Sequence, residues 1–154
     1  MTRLVLGLIA DTHGLLRPEA VAALGGMDRI LHAGDIGDPA ILAALGEIAP
    51  VTAIRGNIDK GAWAAALPER AVVAAAGASL LMLHDVKTLD LDPAAAGFQA
   101  VIAGHSHQPG IRTEAGVLYV NPGSAGPRRF RLPISVARLV AADGALEAEL
   151  ITLR

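Results

Sequence analysis

The sequence predicts a layered α/β domain, and three observations carry that reading. Short apolar runs of strand length alternate with Ala-rich stretches of helical pattern. Hydrophobic residues make up 53% of the chain and aromatics only 3%, so the core is built from Ala, Val, Leu and Ile. The 154 residues have room for a sizeable core and are read as a single domain, 1–154.

The elements follow in order. Residues 3–10 (RLVLGLIA) are a first strand ending at Asp11. A helix over 18–25 starts at Arg17-Pro18-Glu19, with proline at the first helical position, where its missing N–H is harmless. Strand 29–33 leads to a helix over 39–48, opened by Asp38 as N-cap and Pro39 behind it. Strand 50–55 and a short helix at about 60–66 come next, then strands 70–75 and 79–84 and an Ala-rich helix at 93–97. Strands 99–103, 116–120, 134–141 and 145–153 close the chain, separated by turns such as Gly116, Pro122-Gly123 and Asp143-Gly144. Helices are concentrated early and strands late.

Composition removes several classes of function. The formal net charge is −2, and the one basic cluster, around Arg128 and Arg129, is short, so nothing points to a duplex nucleic-acid binder. Cysteine is absent, which excludes disulfides, thiolate metal sites and thiol chemistry. The apolar, charge-free run 71–83 has 13 residues and is too short for a membrane helix. The apolar run at the N-terminus passes directly into Asp11 without a small-x-small cleavage pattern, so a cytoplasmic protein is expected. The strand-rich second half could leave a sheet edge for another subunit, which makes a homo-oligomer a possible assembly.

Five apolar runs are each followed by a side chain with metal-binding chemistry. Asp11 and His13 follow the first, Asp35 the second, Asn57 the third, His84 the fourth, and His105 and His107 the fifth. In open α/β sheets the carboxyl ends of strands gather at one edge, where ligands bind. Residues spread over 97 positions could therefore meet in one place, and four of the five histidines belong to the set. Nitrogen and oxygen donors without sulfur suit Mn, Fe, Ni or Zn. Seven donors exceed what one open four-coordinate zinc needs and match two metals sharing a carboxylate.

The ordered motifs DTHG (11–14), GDIGD (34–38), GNID (56–59), LHD (83–85) and GHSH (104–107) resemble those of the calcineurin-like metallophosphoesterases, in the small bacterial and archaeal phosphodiesterase branch. NPGS (121–124) is similar to a further segment of that branch. The resemblance implies a four-layer α/β/β/α fold, two mixed sheets flanked by helices. It implies that Asp11, His13 and His107 hold one divalent ion, that Asn57, His84 and His105 hold another, and that Asp35 bridges them. Mn²⁺ is the expected metal, with Ni²⁺, Fe²⁺, Zn²⁺ or Mg²⁺ as alternatives. A hydroxide between the metals would attack the phosphorus of a small phosphate ester in line, with Asp35, Asn57 and His105 as the catalytic residues. The alternative is an interaction scaffold of the same fold, like the resembling retromer subunit.

Two positions depart from the family pattern. Ile58 stands where many family phosphatases carry a histidine that protonates the leaving group, which points to a phosphodiesterase, or an esterase restricted to good leaving groups, and away from an efficient general monoesterase. Asp85 replaces a common glycine after His84 and could support an imidazole or be solvated. Among the rest, His32 is assigned to packing or to bracing the ligands, and Asp59 either caps the next helix or braces Asn57. Arg55, two places before Asn57, could reach a phosphate but is read first as ion-paired or solvated, Arg128 or Arg129 as able to lean toward the site, and Trp63 and Phe130 as packing or as a substrate rim.

Overall fold

A computed structural model describes residues 2–154. Its elements run β1 (Arg3–Ile9), α1 (Pro18–Ala23), β2 (Arg29–His32), α2 (Pro39–Gly46), β3 (Val51–Ala53), α3 (Ala62–Ala65), β4 (Arg70–Ala75), β5 (Ala78–Leu83), β6 (Ala100–Ile102), β7 (Gly110–Glu114), β8 (Val117–Asn121), β9 (Ser135–Ala142) and β10 (Ala145–Thr152). They form two five-stranded mixed sheets, ordered β10-β9-β1-β2-β3 and β4-β5-β6-β8-β7. In the first sheet β1, β2 and β3 run parallel, and β9 joins β1 antiparallel. In the second, β5, β6 and β8 run parallel between antiparallel edges β4 and β7.

Strand periodicity builds the core. Leu6, Leu8 and Ala10 alternate on the β1 face that meets the second sheet, against Leu80 and Met82 of β5, Ile102 of β6 and Val120 of β8. All of these are at most 2% exposed. Burying each large side chain stabilises the fold by about 1.5–3 kcal/mol before conformational entropy is counted. The opposite face of β1 presents Ile9, which packs with Ile30, Val136 and the helical residues Ala20, Ile41 and Leu45. Strands buried on both faces read as unbroken apolar runs, which is why β1 and β5 were legible.

All three α-helices belong to the first sheet's outer cluster, Trp63 of α3 included. Over the second sheet the outer layer is thinner: a 3-10 turn at Val86–Thr88, with Val86 and Leu89 packed on Leu83, Val101 and Val117. The four-layer order is kept, with a fourth layer that is only a turn and its flanking loop.

Two elements differ from the sequence reading. Residues 93–97 make one hydrogen-bonded turn, not a helix: Asp92 caps it through Ala94 N–H, and Gly97 ends it at φ +88°. Strand β7 was not foreseen. It is an edge strand, exposed along most of its length, and its sequence GIRTE carries no apolar alternation to read. No helix among the described residues is long and apolar enough to cross a membrane.

Candidate metal centre

The exits of β1, β2, β3, β5 and β6 deliver all the expected donors to one rim. The loops are tied to each other through backbone. Asp11 N–H donates to Gly34 O at 3.0 Å, His13 N–H to Asp35 O at 2.9 Å, and Gly104 N–H to His84 O at 2.9 Å. His105 N–H donates to Asp11 Oδ2 at 3.0 Å, joining the two sheets at the site itself.

Five of the seven donors hold left-handed backbone: Asp11 (φ 55°), His13 (47°), Asp35 (56°), His105 (72°) and His107 (62°). Each such residue costs of order 1–3 kcal/mol and persists only where its surroundings over-determine it. The cross-loop hydrogen bonds supply that determination. The strain is concentrated where side chains must be aimed, a pattern that marks functional sites.

The side chains form two groups. Asp11, His13 and His107 each offer an atom within 4.8 Å of the others, and so do Asp35, His84 and His105. Asp35 stands between the groups, with Oδ2 3.5 Å from His13 Nε2 and 3.2 Å from His84 Nε2. Asn57 reaches the same point: one terminal atom of its amide lies 3.1 Å from His84 Nε2 and 3.3 Å from both Asp35 carboxylate oxygens. As placed, that atom is the carbonyl oxygen and faces only acceptors, an arrangement a cation among them would satisfy.

The chemistry of these atoms fits divalent ions. Asp11 Oδ1, His13 Nε2 and both ring nitrogens of His107 are buried without any hydrogen-bond partner. Leaving a buried polar group unmet costs about 1–3 kcal/mol. Three of them gather, with His13 Nε2 and His107 Nε2 lying 3.9 and 3.7 Å from Asp11 Oδ1, on carboxylate and imidazole groups of the kind that bind borderline divalent metals.

A surrounding set fixes their orientation. His84 Nδ1 donates to Ala33 O at 2.8 Å, which turns Nε2 toward Asp35 Oδ2 at 3.2 Å. His32 is not a ligand. It is fully buried, accepts from Gly34 N–H at Nδ1 (3.1 Å) and meets the Thr12 hydroxyl at Nε2 (3.0 Å). Because Thr12 Oγ1 donates to Ile36 O at 2.8 Å, His32 must be the donor in that pair. Burial holds its pKa down, to about 3, with the neighbouring His84 adding to the shift.

Asp59 does not cap α3, whose N-cap is Gly61, and of the two readings it takes the one that braces the loop of Asn57. Its carboxylate accepts from Ile36, Gly37 and Gly56 N–H groups at 3.1, 2.9 and 2.8 Å, clasping the Asp35 loop to the Asn57 loop. Asp38 caps α2 through Ala40 N–H at 2.9 Å, as expected. Asp85 caps the 3-10 turn through Lys87 N–H, and its Oδ2 lies 3.8 Å from His105 Nε2. Arg55 is ion-paired, to Glu69 at 3.2 Å. Trp63 packs in the outer core, whereas Phe130 is 94% exposed. Of the two arginines considered, Arg129 is the one whose charge acts on Asp11, His13 and His107.

Sequence reasoning missed Thr12 and Arg70. Thr12 links His32 to the Asp35 loop, and its position inside DTHG was the available signal. Arg70 lines the same cavity as Asn57, His84 and His105; nothing in the sequence distinguishes it from a solvated arginine.

Electrostatics divide the donors into two kinds. Burial raises the Asp11 carboxyl to about 7, with the Asp35 charge adding to the shift and His84 opposing it. Burial works against a charged His84, but its hydrogen bond to Asp35 prevails and raises its pKa. Burial lowers His107 to about 4, helped by the Arg129 charge, and lowers His13 as well. Burial thus favours neutral imidazoles at His13 and His107, while Asp11 and His84 are shifted toward their protonated forms, so a cation held by the latter pair would displace protons. Metal affinity of the chelator-treated protein is therefore expected to strengthen as pH rises from about 5 to about 7. Calorimetry in buffers of different ionisation heat should show protons released on binding in that window. An affinity flat across it would contradict the assignment of Asp11 and His84.

The comparisons with known proteins decide the family. The model of the calcineurin-like phosphoesterase superfamily domain matches residues 4–144. The chain belongs to that superfamily. A protein of Methanothermobacter thermautotrophicus named probable metallophosphoesterase is 33% identical, over 96% of this chain and 92% of that one. A predicted phosphoesterase of Streptococcus pneumoniae TIGR4 shares the fold at TM-score 0.75 and 22% identity, over 99% and 91% of the two chains. Vps29 of Entamoeba histolytica, in a crystal structure with Zn²⁺, shares it at TM-score 0.74 and 19% identity, over 98% and 100%. A metallophosphoesterase family implies divalent ions, and this member carries candidate His and Asp groups for them.

Proposed function

We propose that this calcineurin-like phosphoesterase is a cytoplasmic phosphodiesterase, one domain over residues 1–154, that works with two divalent ions, Mn²⁺ foremost. Asp11, His13 and His107 would hold one ion, Asn57, His84 and His105 the other, and Asp35 would bridge them. The observation that carries this reading is Asp35, which faces a histidine of each group across 3.5 and 3.2 Å while unpartnered donor atoms surround it.

When bound, two divalent ions supply a water acidified to near-neutral pKa and neutralise charge on the phosphoryl oxygens. The chain's own residues do the rest. Asp35 accepts from Ile58 N–H at 3.1 Å, which fixes its carboxylate plane. Asn57 and His105 are the exposed members of the set, so they form the face that a substrate phosphate meets. Buried His107 and Asp11 form its floor.

Ile58 favours a phosphodiesterase, or an esterase restricted to good leaving groups, over an efficient general monoesterase. Its side chain is 38% exposed beside Asn57 and can neither give nor take a proton. A leaving alkoxide of high pKa then departs unassisted, and that assistance typically contributes about 10²–10⁴-fold. With Mn²⁺, turnover of bis-p-nitrophenyl phosphate is expected to exceed that of a simple alkyl phosphate monoester by at least about 10²-fold. Comparable rates on the two would refute that restriction.

A further inference from the structure

A cavity of about 350 Å³ opens beside the second donor group, lined by Asn57, His84 and His105 on one side and by Arg55, Glu69 and Arg70 on the other. The fold brings the two arginines there for different reasons. Arg55 follows the exit of β3. Arg70 begins β4, whose antiparallel register sets it opposite Leu83, next to His84.

Both guanidinium groups are built in the same way. Arg55 donates to Leu67 O at 2.7 Å and to Glu69 at 3.2 Å. Arg70 donates to Thr88 O at 2.6 Å and to Asp90 at 2.7 Å. In each case the carbonyl anchors the group and the carboxylate takes part of the remaining fork. The arginine side chains are 33% exposed, whereas the Glu69 and Asp90 side chains are both 76% exposed. Exposed carboxylates hold such pairs weakly and can swing into water. The arginines, fixed on backbone, would then offer fork donors to another anion of matching geometry, for which phosphate is well suited.

We propose that this cavity receives the arm of the diester beyond the scissile phosphate, and that Arg55 and Arg70 bind a second phosphate on that arm by displacing Glu69 and Asp90. The inference rests on the phosphodiesterase reading for what occupies the neighbouring donors. It adds the substrate class: esters bearing two phosphates, one at the histidines and one at the arginines.

The test is calorimetric titration of the full-length protein in Mn²⁺ with thymidine 5′-monophosphate and thymidine 3′,5′-bisphosphate. Wild type is expected to bind the bisphosphate at least about tenfold more tightly, the scale of one charge-assisted contact. Arg55→Gln and Arg70→Gln should each erase most of that preference. Glu69→Gln and Asp90→Asn, at exposed positions unlikely to disturb folding, should enlarge it by freeing the same donors. Absence of a preference in wild type, or a preference unmoved by all four substitutions, overturns the proposal. Propane-1,3-diol bisphosphate, which lacks a base, distinguishes a nucleotide arm from any other bisphosphate. Loss of the preference pattern while Mn²⁺-dependent hydrolysis of bis-p-nitrophenyl phosphate persists would remove this inference alone. The pattern without any hydrolysis would remove the catalytic reading alone.

Discussion

Asp35→Asn is expected to lower Mn²⁺-dependent hydrolysis of bis-p-nitrophenyl phosphate by at least about 10³-fold, roughly 4 kcal/mol of barrier. The substitution preserves shape and takes away one negative charge at the point where both donor groups meet. His13 and His84 would then face a neutral amide at the distances of 3.5 and 3.2 Å that the carboxylate now occupies. Two cations sharing that oxygen would lose their common anion, so bound metal, measured by elemental analysis, should fall with the rate. The Ile58 N–H contact can be kept by the amide oxygen, so circular dichroism should remain unchanged. Equal rates for wild type and variant would mean a background reaction, and would favour a scaffold that keeps the fold without catalysis.

Gly56→Ala should be nearly as damaging, through the backbone. An added Cβ would lie 2.2 Å from Asp35 Oδ1 and 2.4 Å from Asp35 N. The Asp35 loop cannot yield easily, because Asp59 clasps it through three N–H groups, one of them Gly56's own. Overpacking of this kind costs about 1–3 kcal/mol, here at the upper end. For a chain of this size that is a fall of about 5–10 °C in Tm. Metal content should drop as well, since the same shift moves Asp35. Gly46→Ala is the control, because its added Cβ meets nothing within 4 Å. A Gly56→Ala protein with wild-type Tm and metal content would show that the two loops are not coupled as described.

The legible parts of the fold were the strands buried on both faces. Runs such as VLGLI and LLML carry their own boundaries, because a strand packed on two sides is built almost wholly of apolar residues. The edge strand β7 carries none, since both of its faces tolerate polar side chains. The Ala-rich 93–97 segment looked helical because alanine favours helix. It stops after one turn because Gly97 takes a left-handed backbone at once.

The candidate site divides along the same line. Residue identities singled out the seven candidate ligands, because the donor atoms and the order of the motifs are covalent facts of the chain, and the family resemblance singled out Ile58 as a departure. The family resemblance implied the two groups and the place of Asp35 between them, but their distances, the Asp59 clasp across the β2 and β3 exits, and the meeting of Arg55 and Arg70 at one cavity came only from the folded sheets. Distances between residues far apart in sequence arise from strand register and layer spacing, and no local pattern encodes them.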